Sequence, residues 1–284
     1  MKATDKITNF FGLVKMPFTN CLKTDELFQS SGFLEAGSRL SFALETESIT
    51  LITGETGSGK SSLLRYFTDS LDTQNFKVIY IPTDSNTKFP DIAKQAIGQL
   101  QMEVPYNSQA AVRKLKESVV KLNNEKNIKP VLIIDEAHEL HPRTMAALKP
   151  LLNYQMDSRN CLFMILSGQT PLNDLLELYP LESLNRRIRI RYAIQFLSLS
   201  ETSDYITHQM KICGMERTLF PDELKALIFE LTRGNMAEIN ELGFNLLIHA
   251  ASQAKEIIEP GMLDIVRRGR MMEKPGNGNR YQKA

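Results

Sequence analysis

Ser48-Ile-Thr-Leu-Ile-Thr-Gly54-Glu-Thr-Gly-Ser-Gly-Lys60-Ser-Ser-Leu-Leu-Arg-Tyr-Phe67 is the stretch on which the fold turns. An apolar strand runs into a complete G-x-x-x-x-G-K-S pattern, and a helical run follows, which is the setting a phosphate-binding loop requires. Gly54, Gly57 and Gly59 let the backbone curl with its N–H groups turned inward, so that several donors and a helix N-terminus converge on phosphate oxygens. The segment Gly54, Glu55, Thr56, Gly57, Ser58, Gly59, Lys60, Ser61 and Ser62 is therefore the candidate ATP site. Lys60 is expected to reach the β and γ phosphates, and Ser61 to offer its hydroxyl to Mg²⁺.

Outward from this loop, short apolar runs alternate with helical patterns. Val78–Ile81, Val131–Ile134, Leu162–Leu166 and Ile190–Phe196 read as further strands, with helices over 91–102, 108–124, 143–156 and 171–178. Such alternation predicts an α/β domain with a parallel sheet covered by helices on both faces. After Leu197 the strand signal stops, and amphipathic runs beginning near Ser200, Pro221, Met236 and Pro260 predict a small all-helical lid. The expected organisation is a lead-in over 1–45 that packs on the nucleotide core, an ATPase domain over 46–197, a helical lid over 198–270 and a disordered basic tail over 271–284.

The chain has 284 residues, 42% of them hydrophobic, and a formal charge of +1, so any grip on nucleic acid must come from a local patch. Cys21, Cys161 and Cys213 are widely spaced and form no C-x-x-C pair, which reads as packing thiols in a reducing compartment. No apolar run approaches the roughly 20 residues that cross a bilayer, and the start Met1-Lys-Ala-Thr-Asp-Lys is not a secretory signal. A cytoplasmic location without a membrane partner is the expectation.

Hydrolysis needs more than a phosphate loop, and Val131-Leu-Ile-Ile-Asp135-Glu136-Ala-His138 supplies two acids where a strand ends. Asp135 is expected to hold Mg²⁺, mostly through water, and Glu136 to orient and deprotonate the attacking water. His138 and His141 have no metal-ligand company and read as ordinary loop or helix-start residues. Leu162–Leu166 ends in Ser167-Gly-Gln169-Thr170, where Gln169 is the candidate sensor of phosphate or water, Ser167 the reserve, and a plain helix cap by Thr170 and Pro171 an equal account. Arg186, Arg187, Arg189 and Arg191 cluster at the start of the last strand. Arg187, with Arg186 second, is the candidate to stabilise transferring phosphate on a neighbouring subunit, while Arg189 and Arg191 suit an outward edge-strand face.

With these residues in place, the chain resembles a P-loop ATPase of the AAA+ superfamily, and more narrowly the ExeA/TniB group with its MuB-like and TnsC-like transposition ATPases. Phe11-Gly-Leu-Val-Lys-Met-Pro-Phe18, the phosphate loop, Leu132–Leu140, Leu166–Leu172 and Leu184–Ile188 carry the likeness, which spans Phe10 to Val266. The resemblance implies a five-stranded α/β domain with a helical lid. It further implies ATP-dependent assembly of homo-oligomers, as rings or helical filaments, on double-stranded DNA, and recruitment or activation of a transposase. It also implies DNA contacts near Lys88, Asn107 and Ser108, with Arg113 and Lys114 adding charge. One departure stands out: Gly234-Asn-Met-Ala237-Glu-Ile-Asn240 lacks the lid arginine of the group, so a second phosphate sensor is missing unless Arg233 substitutes. The alternatives are an ExeA-like secretion-assembly ATPase, whose membrane span and wall-binding domain this sequence does not continue into, and an ATP-binding scaffold with little turnover. The tail from Arg267, through Arg268, Arg270, Lys274, Arg280 and Lys283, is a further basic segment for DNA or a partner protein.

Overall fold

The computed structural model describes residues 3–19, 21–46, 48–152 and 161–273, the side chains of residues 3 and 269–273 excepted. The chain divides into two compact units, Gln29–Gln195 and a discontinuous one made of Met1–Phe28 with Phe196–Ala284.

The first unit is the α/β domain. Its five strands are β1 (Ile49–Thr53), β2 (Phe76–Pro82), β3 (Lys129–Asp135), β4 (Phe163–Gly168) and β5 (Ile188–Ala193), paired in parallel in the order β2-β3-β4-β1-β5. The inner strands β1 and β4 are buried at every residue, and β3 at all but its first, which is why they appear in the sequence as continuous apolar runs. On the edge strand β5 Arg189 and Arg191 are exposed, as alternation on an open edge requires. Helices α2 (Ser31–Glu45), α3 (Lys60–Asp69), α4 (Phe89–Gln99), α5 (Ser108–Glu125), α6 (Pro142–Ala146), α7 (Pro171–Glu177) and α8 (Glu182–Asn185) complete the unit.

Two local expectations change. The helix expected over 143–156 is the short α6, followed by a 3₁₀ turn at Lys149–Leu151; Pro150 has no amide to continue the ladder, and residues 153–156 lie outside the described residues. The last strand begins two residues earlier than the apolar pattern suggests, because Ile188 pairs with Ile49, and it ends at Ala193.

The second unit is helical, with α1 (Ala3–Phe11), α9 (Leu199–Lys211), α10 (Asp222–Thr232), α11 (Met236–Ser252) and α12 (Gly261–Glu273). Asn235 caps α11 by accepting from the N–H groups of Ala237 and Glu238, and Ser198 with Glu201 forms a capping box on α9. Helix α12 carries residues 271–273 past the expected end of the lid; residues 274–284 of the expected tail lie outside the described residues.

The lead-in does not pack as expected. Only its second half, α2, lies against β1 and α3, with Phe33 edge-on to Tyr66 at 5.2 Å. Residues up to Phe28 fold instead with the helical unit, because that is where their apolar side chains are buried: Phe11, Leu13 and Phe18 share a core with Leu224, Ile239 and Leu246. Phe18 sits at φ +59°, donates its N–H to Gln209 Oε1 at 3.3 Å and meets Phe220 edge-on at 5.6 Å. Its ring occupies the space that a side chain at Gly243 would fill, since a Cβ there would come within 2.7 Å of it. Phe18→Ala is expected to destabilise the helical unit by about 3–5 kcal/mol, read as a lowered denaturation midpoint, whereas Val14→Ala, at an exposed position, should leave it unchanged.

Candidate nucleotide site

The strand order brings the C-terminal ends of β1, β4 and β3 side by side, and the loops leaving them build one site. The loop after β1 folds with Gly57 at φ +85° and Gly59 at φ +95°, values that side-chain-bearing residues rarely adopt, and Gly59 is the N-cap of α3. Gly54 leaves no room for a Cβ, which would sit 2.6 Å from Ser58 Oγ and 2.9 Å from Ile194 O. The Gly54 N–H donates to Gly168 O at 3.2 Å, tying the loop to the end of β4.

Lys60 is buried, and its ammonium donates to Gly54 O at 2.7 Å and Glu55 O at 3.1 Å. Burial pushes its pKa below the ordinary lysine value, and the nearby Glu136, Asp135 and Glu55 carboxylates pull it back only in part. Ser58 Oγ is fully buried and without a hydrogen-bond partner among the described atoms. A cation underserved by carboxylates beside an orphaned hydroxyl in a glycine-lined curl is the donor set that an anionic phosphate chain satisfies.

Asp135 ends β3 at 3% exposure. Its Oδ2 accepts from Tyr80 Oη at 2.7 Å and its Oδ1 from the Glu136 N–H at 3.1 Å. Burial, together with this bond to Asp135, pushes the Tyr80 phenol well above its ordinary range, so it stays a donor at any working pH. Glu136 adopts a left-handed backbone, φ +54°, that turns its side chain off the strand direction. Thr83 holds that turn, its hydroxyl lying 2.8 Å from Asp135 O and 3.1 Å from Glu136 O. A left-handed non-glycine residue that its neighbours over-determine in this way is common at functional sites.

From β4, Ser167 is fully buried with its Oγ unpartnered, Gln169 is half-buried, and the Thr170 hydroxyl donates to Glu55 Oε1 at 2.6 Å. His138, with a side chain 10% exposed, lies between the two acidic elements: Nδ1 is 3.4 Å from Glu136 Oε2 and accepts from the Gln169 N–H at 3.3 Å, and Nε2 is 3.4 Å from Glu139 Oε1. His138 is thus not an ordinary loop residue, and the reason is tertiary: β4 pairs beside β3 and its end closes over the ring. His141 does match its reading, capping α6 by accepting from the Arg143 N–H.

The structure thus gathers the loop residues 54–62, Asp135, Glu136 and Gln169, but not the arginines. Arg186 and Arg187 precede the N-terminal end of β5, whereas the phosphate loop leaves the C-terminal end of its parallel neighbour β1, a separation of about one strand, ~20 Å. Arg186 is exposed and paired with Glu182, Arg187 is half-buried, and Arg191 bonds Asn185. Of the candidate DNA residues, Lys88, Ser108 and Arg113 are exposed, but Asn107 spends its amide oxygen capping α5 and Lys114 donates to Glu103 O at 2.6 Å. Lys88 is the N-cap of α4 and Ser108 the first residue of α5. Ala237 and Arg233 are both exposed, Arg233 ending α10 at φ +52°.

Residues 43–176 match the family model described as an AAA domain. This segment is similar to an AAA domain. The AAA match supports ATP hydrolysis as the activity. Over 262 residues the chain is 27% identical to the General secretion pathway protein A of Aeromonas hydrophila, covering 91% of this chain and 47% of that protein. The chain therefore spans about half the length of the curated relative it matches. The fold is similar to that of Cdc6p from Pyrobaculum aerophilum, with a TM-score of 0.71 at 14% identity over 89% of this chain and 70% of that one. It is also similar to the Aeropyrum pernix ORC1 protein in complex with DNA, with a TM-score of 0.66 at 14% identity over 87% of this chain and 67% of that one. At such identities the likeness is one of fold. Among the described residues no helix is long and apolar enough to cross a membrane, and no group of three or more His, Cys, Asp or Glu could hold a metal ion by itself.

The depressed pKa of Lys60 means that its charged form opposes folding, an effect that fades as pH rises through the depressed value toward the ordinary one. Lys60→Met is therefore expected to melt at or above the wild-type temperature without nucleotide near pH 7, with the difference narrowing at alkaline pH. In the same variant ATP should no longer raise the melting temperature.

Proposed function

We propose that the chain is an ATPase whose catalytic site is completed by a second copy, and that the resulting homo-oligomer holds duplex DNA and engages a transposase. The observation that carries this reading is the separation of Arg187 from its own phosphate loop by the length of the sheet. An arginine there cannot serve its own triphosphate, but it stands at the end of the sheet where a neighbouring copy could present one.

In this reading the backbone N–H groups of 54–62 and Lys60 bind the phosphates, Ser61 and Asp135 hold Mg²⁺, Glu136 orients the attacking water, and Gln169 senses the γ-phosphate. Both Asp135 oxygens already accept a protein hydrogen bond, so the lone pairs left suit a water-mediated hold on the metal. When bound, Mg²⁺ neutralises charge on the phosphate oxygens. Arg187, with Arg186 in reserve, stabilises charge spreading over the transferring phosphoryl group of the adjacent copy. Lys88, Ser108 and Arg113 are the exposed donors left for DNA phosphates, a contact that needs no base reading. The DNA reading is supported by the motif resemblance to transposition ATPases and by the shared fold with ORC1 in its DNA complex.

A second reading, an assembly ATPase of a secretion system, is favoured by the General secretion pathway protein A match over most of this chain. Duplex DNA separates the two: the first expects turnover and oligomer size to rise when it is added, and the second expects neither to respond.

Glu136→Gln is expected to keep ATP bound and to lower turnover by about 10²-fold or more. Arg187→Ala should lower it by about 10³-fold. Mixing Arg187→Ala with Lys60→Ala, each inactive alone, should restore activity through the composite site. A mixture as inactive as its parts, in a protein that stays monomeric with ATP and DNA, would remove the shared-site reading.

A further inference from the structure

His138 holds a position that the roles above leave unused. Its Nδ1 has two neighbours: the Gln169 N–H at 3.3 Å, from the end of β4, and Glu136 Oε2 at 3.4 Å, from the end of β3. An imidazole nitrogen carries either a lone pair or a proton, so it can accept from Gln169 or donate to Glu136, but not both at once. With Gln169 bonded, the ring is the Nε2–H tautomer, that hydrogen directed at Glu139 Oε1, and the lone pair on Nδ1 gives Glu136 nothing to bind. With the Gln169 N–H withdrawn, the proton can sit on Nδ1 and hold the Glu136 carboxylate. The ring has little freedom to avoid this choice, because it is nine-tenths buried and a Cβ on Gly168 would come within 3.2 Å of Nδ1.

We propose that His138 is a positioning residue that couples the turn at Gln169 to Glu136. The Gln169 N–H on Nδ1 frees the Glu136 carboxylate to take water, and withdrawal of that N–H clamps it. Any shift of the β4 end on meeting phosphate is thereby transmitted to the group that activates water, through one ring nitrogen. The inference rests on Glu136 as the activating base.

Three substitutions test it. Asparagine places its amide near the position of Nδ1, glutamine reaches the position of Nε2, and phenylalanine keeps the ring volume without a polar atom. His138→Asn, which can still accept from Gln169 or donate to Glu136, is expected to keep kcat within about fivefold of wild type, and His138→Gln and His138→Phe, which cannot clamp Glu136 from the Nδ1 position, should both turn over at or above the wild-type rate, with KM and ATPγS affinity unchanged within about twofold. A merely volume-filling histidine would make asparagine, the smallest replacement, the slowest by about tenfold or more, and that result overturns the proposal, as does a tenfold loss in His138→Phe or a parallel change in KM. In a ¹⁵N-histidine spectrum of the nucleotide-free protein, the signal lost in His138→Asn should report an Nε2–H tautomer; an Nδ1–H or doubly protonated ring there also overturns it. Glu136→Gln is the control for the underlying role: if it turns over at the wild-type rate, the reading of Glu136 fails, and if it is inactive while the His138 series follows volume, only the coupling fails.

Discussion

Parallel pairing of β1 between β4 and β5, with β3 next in line, is the constraint from which the site follows. Parallel strands all end on one side, so the order of pairing alone decides which loops meet. Here the phosphate loop, the Asp135–Glu136 turn and the Ser167–Gln169 turn leave adjacent strands and converge. The same geometry sends Arg186 and Arg187 to the other end, because they precede β5 instead of following it. Within one chain these two ends are therefore kept apart by the length of the sheet.

The site is poised by unsatisfied electrostatics. Lys60 is buried with carbonyl oxygens as its acceptors, and Ser58 and Ser167 keep hydroxyls in the interior without partners. Such groups cost stability in the empty protein, and an arriving phosphate chain offsets that cost. By contrast, the Asp135–Glu136 turn is fully supported by Tyr80 and Thr83, so the acidic side of the site is set in advance.

Much of this was legible in the sequence. Spacing alone placed the phosphate loop and the acid pair, since glycines between an apolar run and a helix, and acids closing a buried strand, are local signatures. The helices of the second unit declared themselves by periodicity. Tyr80 was not legible as a site residue, because its phenol reaches Asp135 only through the β2–β3 register, in which Tyr80 is paired with Ile133. His138 escaped for the same reason, its partner Gln169 being far away in sequence and joined to it only by sheet pairing. Asn107, named through the resemblance, and Lys114, named for its charge, are engaged in a helix cap and a bond to Glu103 O, tertiary and local details that residue type does not show.

Phe18 and its neighbours also bear on how the chain is made. Phe11, Leu13 and Phe18 leave the ribosome early, yet their partners on α10 and α11 are synthesised only after the whole α/β unit. Throughout that interval these apolar side chains lack their α10 and α11 partners, while Gln29–Gln195 has all five strands of its sheet. Folding can therefore run out of chain order, with Gln29–Gln195 maturing first and the segment around Phe18 waiting for helices made after it.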